Sequence, residues 1–320
     1  MTPRFSIALA ACNGARHLPE LLDSLIAQRL PPFELVAADD ASGDGTVPLL
    51  EAFAARAPFP VRLLRNPKRL GVEENFSLAL TACSGDCIAL ADQDDTWRAD
   101  KLERLAQALS APETLAAFSD AEVVDDNLAP LGYTMWQRVR FTPREQARLA
   151  QGEGFAVLLK HRVVTGATLA VKVSLRDTAL PIPAGWPHDA WLALMAAAQG
   201  GLASVSAPLI AYRQHSGNVV GGLRKSLAQE AHAALGLDRG DWYRGELGLW
   251  RTLAARLEAS TVPAASRTAL KEKIAHLEAR ANLPAARWRR LPGVLREAAA
   301  GRYARYARNW GSVALDLLVR

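Results

Sequence analysis

Cys87-Ile88-Ala89-Leu90-Ala91-Asp92-Gln93-Asp94-Asp95 is an uncharged, mostly apolar run that ends in a cluster of carboxylates. A run of this length bounded by a turn reads as a buried strand over 87–91, with the acidic group at its carboxyl end. Apolar runs closed by turn residues occur twice more, earlier in the chain, one of them with a second acidic cluster. Phe5–Ala11 is a short apolar run closed by Cys12-Asn13-Gly14, and residues 33–38 run into Asp39-Asp40-Ala41-Ser42-Gly43-Asp44-Gly45. Leu18, Leu21, Leu22, Leu25 and Ile26 recur at helical spacing over 17–28, and Pro31-Pro32 ends that helix. Helices are also expected over 47–57 and Val72–Ala82, with a strand at Val61–Arg65. Strand and helix alternating at this spacing predict βαβ units and an α/β fold with a mostly parallel, Rossmann-like sheet between helices. Ligands bind such sheets at the carboxyl ends of the strands, where both acidic clusters lie. Carboxylates gathered on one crevice repel one another, and a divalent cation is the natural offset.

Beyond residue 115 the pattern is mixed, with strands expected at 116–121, 164–171 and 203–212 and helices at 97–109 and 190–198. After Gly222, long Ala/Leu/Arg/Glu stretches interrupted near Pro263, Pro284 and Pro292 predict several helices. The chain of 320 residues is therefore expected to divide near residue 224 into an α/β domain, 1–224, and a basic helical region, 225–320. Residues 225–320 carry 17 Lys and Arg against 9 Asp and Glu, a net +8 of the whole chain's +5, so the first 224 residues are mildly acidic. Half the residues are apolar, the composition of a core-forming globular protein. The first strand begins at Phe5, which leaves no room for a signal peptide, and no apolar run reaches the 18 or so residues of a membrane span. A cytoplasmic protein is expected. Three cysteines, Cys12, Cys83 and Cys87, cannot pair completely and lack the neighbours of a zinc site, so small buried residues are expected there.

Alone, Asp92-Gln93-Asp94 is weak evidence, because acidic doublets are common in turns and helix caps. In company with other motifs it is specific. Asn13-Gly14, Asp39 to Thr46, Asn66 through Leu70-Gly71-Val72 to Asn75-Phe76, Ser84-Gly85-Asp86, Asp92-Gln93-Asp94-Asp95-Thr96-Trp97 with Lys101-Leu102, Thr165-Gly166-Ala167, His188-Asp189-Ala190-Trp191 and Tyr212-Arg213-Gln214-His215 stand in order. Over about residues 4–224 this series resembles the family 2 glycosyltransferases, and more narrowly the rhamnosyltransferases of bacterial surface-polysaccharide synthesis. One departure is Ala190, which stands where the narrower group often has an aromatic after the His-Asp pair.

The resemblance implies a GT-A fold and inverting, metal-dependent transfer from a nucleoside-diphosphate sugar to a glycan or lipid-linked acceptor. The donor would be dTDP-, UDP- or GDP-linked, and rhamnose is among the sugars implied. Asp39 would accept a hydrogen bond from the base's ring N–H, while Asp40 either contacts the nucleotide or closes the turn. Ala11, Asn13 and Gly14 would let backbone approach base and ribose. Asn66, Gly71 and Asn75 would contact the nucleotide or form a turn and helix N-terminus. Asp92 and Gln93 would line the same site, and Arg213, with Arg224 and Lys225, would neutralise the diphosphate. Asp94 would ligate Mg²⁺ or Mn²⁺, with His215 either a second ligand or structural. Asp189 would be the general base, or else a carboxylate favoured by the dipole of the helix it starts, with His188 orienting it.

Arg287, Trp288, Arg289, Arg290, Arg302, Tyr303, Arg305, Tyr306, Arg308 and Trp310 make a tail rich in arginine and aromatics. It suits peripheral contact with an anionic membrane, or a helical cap with solvated arginines. Residues beyond about Arg280 are expected to be removable with the donor site intact. A nucleic-acid-binding protein, suggested by a pI near 9.3, leaves the carboxylate clusters unexplained. A catalytically silent sugar-nucleotide-binding protein is the alternative that keeps the fold and leaves Asp189 idle.

Overall fold

The computed structural model describes residues 2–215, 239–258 and 261–319. They divide into two compact units. The first alternates as the sequence predicts: β1 (Phe5–Ala11), α1 (Leu18–Ile26), β2 (Glu34–Asp39), α2 (Thr46–Ala54), β3 (Val61–Arg65), α3 (Val72–Ala82), β4 (Cys87–Asp92), β5 (Thr96–Trp97), α4 (Lys101–Ala108), β6 (Ala116–Val124) and β7 (Pro130–Thr134). Two short helices, α5 (Met135–Arg138) and α6 (Pro143–Arg148), precede α7 (Gly154–Lys160), β8 (Leu169–Lys172), α8 (Val173–Ala179), α9 (His188–Ala198) and β9 (Leu202–Arg213). Among the described residues nine strands form one sheet in the order β3-β2-β1-β4-β8-β6-β9-β5, with β7 beside β6. Strands β1 to β4, β6 and β9 run one way, while β8, inserted between β4 and β6, runs against both neighbours. The mixed α/β class with a mostly parallel sheet and C-terminal helices is thus the observed one.

Register places the site. β1 lies between β2 and β4, with Ala11 opposite Asp39 and Ala10 opposite Asp92. All of β2 is buried, and so is β4 up to Asp92, as expected of parallel strands covered on both faces. At the opposite ends of these strands, Glu34 accepts from Ser6 Oγ and from Ser84 N and Oγ at 2.6–2.8 Å, and Gly85 N donates to Ser6 Oγ. A Cβ on Gly85 would stand 2.6 Å from the Arg4 carbonyl. Ser84-Gly85-Asp86 is therefore a latch far from the carboxylates. Cys83 and Cys87 are free and buried, and burial pushes their thiols up to about 12 and about 11.

Two elements differ from expectation. The helix expected from 97 starts only at Lys101, because Thr96 and Trp97 pair with Ala211 and Ile210 of β9. The strand expected over 164–171 opens with a 3-10 turn, Gly166–Thr168, closed by Thr168 N and Oγ1 on the Thr165 carbonyl.

The second unit contains α7, α10 (Arg239–Glu258), α11 (Ala264–Ala281), a 3-10 turn at Arg287–Arg289, α12 (Leu291–Ala299), α13 (Arg302–Tyr306) and α14 (Trp310–Leu318). The boundary expected near 224 lies outside the described residues, as do Arg224 and Lys225. Pro263 precedes α11, Pro284 follows it, and Pro292 sits in the first turn of α12, where its missing N–H costs nothing. Arg280 donates to Asp316 at 2.6 Å and to the Tyr243 hydroxyl, and Tyr303 donates to the same carboxylate at 2.6 Å. Asp316 is 0 % exposed. The tail beyond Arg280 is consequently part of this unit's core through that buried ion pair. No helix among the described residues is long and apolar enough to cross a membrane.

Candidate active site

Three loops meet at the carboxyl ends of β1, β2 and β4, and side chains lace them together. Asn13, held at φ 51°, donates its N–H to Ser42 Oγ and accepts from Gly43 N at 2.8 Å. Gly14 N donates to Thr46 Oγ1, and Asp44 accepts from Ala15 N and Thr46 N. Gln93 grips the same loop by both ends of its amide, accepting from Cys12 N at 2.8 Å and donating to the Cys12 carbonyl at 2.9 Å. A Cβ on Gly14 would stand 2.1 Å from Gln93 Oε1, which accounts for glycine there. Ala11 is buried at the end of β1 and its carbonyl accepts from Asp40 N.

The acidic pair after β2 splits in its duties. Asp40 accepts from Leu70 N at 2.7 Å, Gly71 N at 2.9 Å and Asn66 Nδ2 at 3.1 Å. Burial opposes its charge, yet these donors outweigh burial and hold the carboxyl below its usual range. Asn75 donates to the Ala38 carbonyl and accepts from Asn66. Asp40, Asn75 and Gln93 thus each bond to the loops around the crevice, which for Asp40 and Asn75 is the turn-forming alternative the sequence left open. Asp39 is different. One carboxylate oxygen accepts from Ser42 N at 3.0 Å, and the other is buried with no partner among the described residues.

After β4, Asp94 Oδ2 lies 2.8 Å from His215 Nε2, both side chains about one-fifth exposed. His215 stacks on His17 with ring centroids 5.0 Å apart and planes 9° from parallel, and His17 Nε2 bonds to Asp126 at 2.8 Å. Burial, then Arg213 and His215, lower the His17 pKa, against the pull of Asp126 and Asp94. Sequence reasoning gave His17 no partner. Its only local signal was a place at the start of α1, just after the Asn13-Gly14 loop.

Asp92 is pushed up to about 7 by burial and by the charges of Asp94 and Asp189. That influence brings Asp189, from the first turn of α9, to the same carboxylate cluster. Asp189 Oδ1 also accepts from Ala190 N at 2.6 Å, so it serves its own helix as well. His188 is buried and stacked on Phe76 at 4.0 Å, with both ring nitrogens unpartnered among the described residues. A Cβ on Gly166 would meet its Nε2 at 2.7 Å. Behind the cluster Lys101, fully buried over the Trp97 ring, donates to the Ala167 carbonyl at 2.7 Å. Burial lowers its pKa, and Asp95 and Asp92 work against that. Sequence reading noted Lys101 in a motif without giving it this place.

Arg213 is bonded into the fold as well. Its side chain is 2 % exposed and its guanidinium donates to the carbonyls of Asp94 and Asp126 and to Glu20, while its N–H donates to Asp95. It clamps the turn that carries Asp94 onto α1. Among the described residues no three His, Cys, Asp or Glu side chains converge as a closed metal cage. Asp94 and His215 do supply an oxygen and a nitrogen of the type that binds Mn²⁺ or Mg²⁺, beside carboxyl groups crowded enough to resist ionisation.

Comparison with known proteins adds a family and a fold. The model of Glycosyl transferase family 2 matches residues 6–158. Uncharacterized mycobacterial proteins, Mycobacterium bovis among them, are 29% identical over 215 residues, 66% of this chain and 59% of theirs, so the chain spans less than two thirds of their length. The dTDP-rhamnosyl transferase RfbG of Shigella flexneri is 25% identical over 75% of this chain and 82% of its own. S. aureus TarS 1-349 in complex with UDP-GlcNAc shares the fold with TM-score 0.60 at 14% identity, covering 98% of this chain and 90% of that one. So does the mannosyltransferase PcManGT of Pyrobaculum calidifontis in complex with GDP-Man and Mn²⁺, with TM-score 0.52 at 19% identity over 98% and 81%.

Proposed function

We propose that this chain, whose residues 6–158 match the model of Glycosyl transferase family 2, transfers a sugar, with inversion, from a nucleoside-diphosphate donor to an acceptor hydroxyl. The observation that carries the reading is the Asp94–His215 pair, 2.8 Å apart, beside an Asp92 carboxyl raised by the charges of Asp94 and Asp189, a crowd of carboxylates that rewards a bound cation. Asp94 and His215 would hold Mg²⁺ or Mn²⁺, the latter present in the fold's mannosyltransferase neighbour. Such a cation, when bound, neutralises the diphosphate and makes it a better leaving group. The unpartnered oxygen of Asp39 accepts the ring N–H that uracil, thymine and guanine all carry. Asn13 and Gly14 hold backbone beside it. Asp189 takes the acceptor's proton as that oxygen attacks the anomeric carbon and the sugar–phosphate bond breaks on the opposite face.

The likeness to RfbG favours dTDP-rhamnose, and a glycan or lipid-linked oligosaccharide of surface-polysaccharide synthesis as acceptor. On that reading the protein acts at the cytoplasmic side, in peripheral contact with a membrane through its C-terminal region.

Calorimetric titration of dTDP-, UDP- and GDP-sugars with and without Mn²⁺ tests the donor site. Donor binding should require the cation. Asp94→Ala should weaken it by about 100-fold or more, beyond the cost of losing an outer-shell partner of a metal ligand. Equal affinity in EDTA removes the metal from the reading. Asp39→Ala should lose about 1.5–3 kcal/mol of nucleotide binding, the worth of a hydrogen bond to a charged group, while cation dependence persists. Unchanged binding of the free nucleoside diphosphate would make Asp39 a turn residue only.

A further inference from the structure

Residues 283–319 contain two carboxylates, and both are inside. Glu297 is 4 % exposed and bonded to His276 at 2.7 Å and Arg302 at 2.8 Å, and Asp316 is sealed against Arg280 and Tyr303. Arg287, Arg289, Arg296, Arg305 and Arg308 are exposed. The charge that this segment shows to solvent is therefore of one sign.

Its exposed apolar groups are also ordered. Trp288, Leu291 and Leu295, spaced three and four apart, are 75 %, 48 % and 57 % exposed, while Arg290, Val294 and Glu297 face inward. Helix α12 thus has an outward face built of leucine, although its inward face already fills the unit's core. Helix α14 repeats the arrangement: Trp310 and Leu318 are 74 % and 62 % exposed with Ala314 between them, and Asp316 turns in. Buried Arg290 ties the two together, donating to the carbonyls of Pro284 and Ala285 and to those of Asp316 and Val319. The Arg287–Arg289 turn and the end of α14 are consequently held as one piece. Two outward tryptophans at 74–75 % exposure cost solvation free energy that a monomer in water does not recover.

We propose that this face, Trp288, Leu291 and Leu295 with Arg287, Arg289 and Arg296, docks on an anionic lipid surface. Arginines seat among the phosphates, tryptophan occupies the headgroup boundary, and the leucines enter the acyl region. This names the surface for the peripheral contact in the functional reading and rests on that reading for its purpose. The attachment itself needs nothing from the carboxylate cluster.

Co-sedimentation of the full chain with vesicles of phosphatidylcholine, alone or mixed with phosphatidylglycerol, tests it. The chain should partition onto the mixed vesicles, less so in high salt, and only weakly onto the neutral ones. Trp288→Ser with Leu295→Ser should lower partitioning about tenfold or more, since both side chains are exposed and folding does not need them. Arg287→Glu with Arg296→Glu should do the same through charge alone. Partitioning by either variant equal to wild type overturns the proposal, as does absence of binding to the mixed vesicles. Self-association that the serine variant abolishes, without vesicle binding, assigns the face to a second copy instead. Donor affinity measured on the same serine variant should be unchanged. Vesicle binding without any sugar-nucleotide binding by wild type would sink the transferase reading and leave the docking face standing.

Discussion

Asp189→Asn is expected to lower kcat by roughly 10²–10⁴, the range that a positioned general base contributes. The loss should fall on kcat more than KM, because proton removal matters only as the transition state forms. The substitution is close to isosteric, and the asparagine carbonyl can still accept from Ala190 N, so helix α9 should keep its first turn. Donor affinity should hold or rise, since one of the charges that crowd Asp92 disappears. Single-turnover transfer with saturating donor separates these outcomes. Turnover near wild type would move the base elsewhere, and His188, with its two unpartnered nitrogens, would be the next residue to change.

Asp316→Ala should destabilise the helical unit by about 3–5 kcal/mol, the usual cost of leaving a buried charge without its partner. Arg280 is 4 % exposed and would lose its carboxylate, and the Tyr303 hydroxyl would lose its acceptor. Replacing both partners, Arg280→Met with Asp316→Leu, should recover much of that loss, because no isolated charge remains. Denaturant unfolding followed by tryptophan fluorescence measures both variants. A loss below about 1 kcal/mol would class the pair with solvent-screened surface bridges.

Most of the first unit was legible because it is written in local patterns. Val61–Arg65 and Val72–Ala82 have the predicted bounds, and β1 and β4 follow apolar runs stopped by turn residues. Carboxylates at strand ends follow from the same punctuation. Long-range pairing was less legible. Nothing local to Leu169–Lys172 says that it will insert antiparallel between β4 and β6, and Thr96–Trp97 is a strand only because β9 lies beside it. At the site, residue types were readable but directions were not. Asp39 and Asp40 are neighbours of identical chemistry, yet the loop at 66–71 takes all three of its donors to Asp40 and leaves Asp39 an open acceptor. Arg213 had the right charge for a diphosphate, and only its burial against Glu20 and two carbonyls reveals a clamp. His17 needed the fold, since its partners are 109 and 198 positions away.

The amide of Gln93 gripping Cys12 has a consequence for how this sequence can vary. The middle position between Asp92 and Asp94 is not a free letter. A Cβ at 14 would displace the Gln93 side chain, and a side chain at 93 without both an amide donor and acceptor gives up its two bonds to Cys12. Positions 14 and 93 therefore form one epistatic unit, in which a change at either is tolerated only against a matching change at the other. Drift in this chain should carry the two together, while the exposed neighbour Asn13 answers to Ser42, to Gly43 and to its own positive φ.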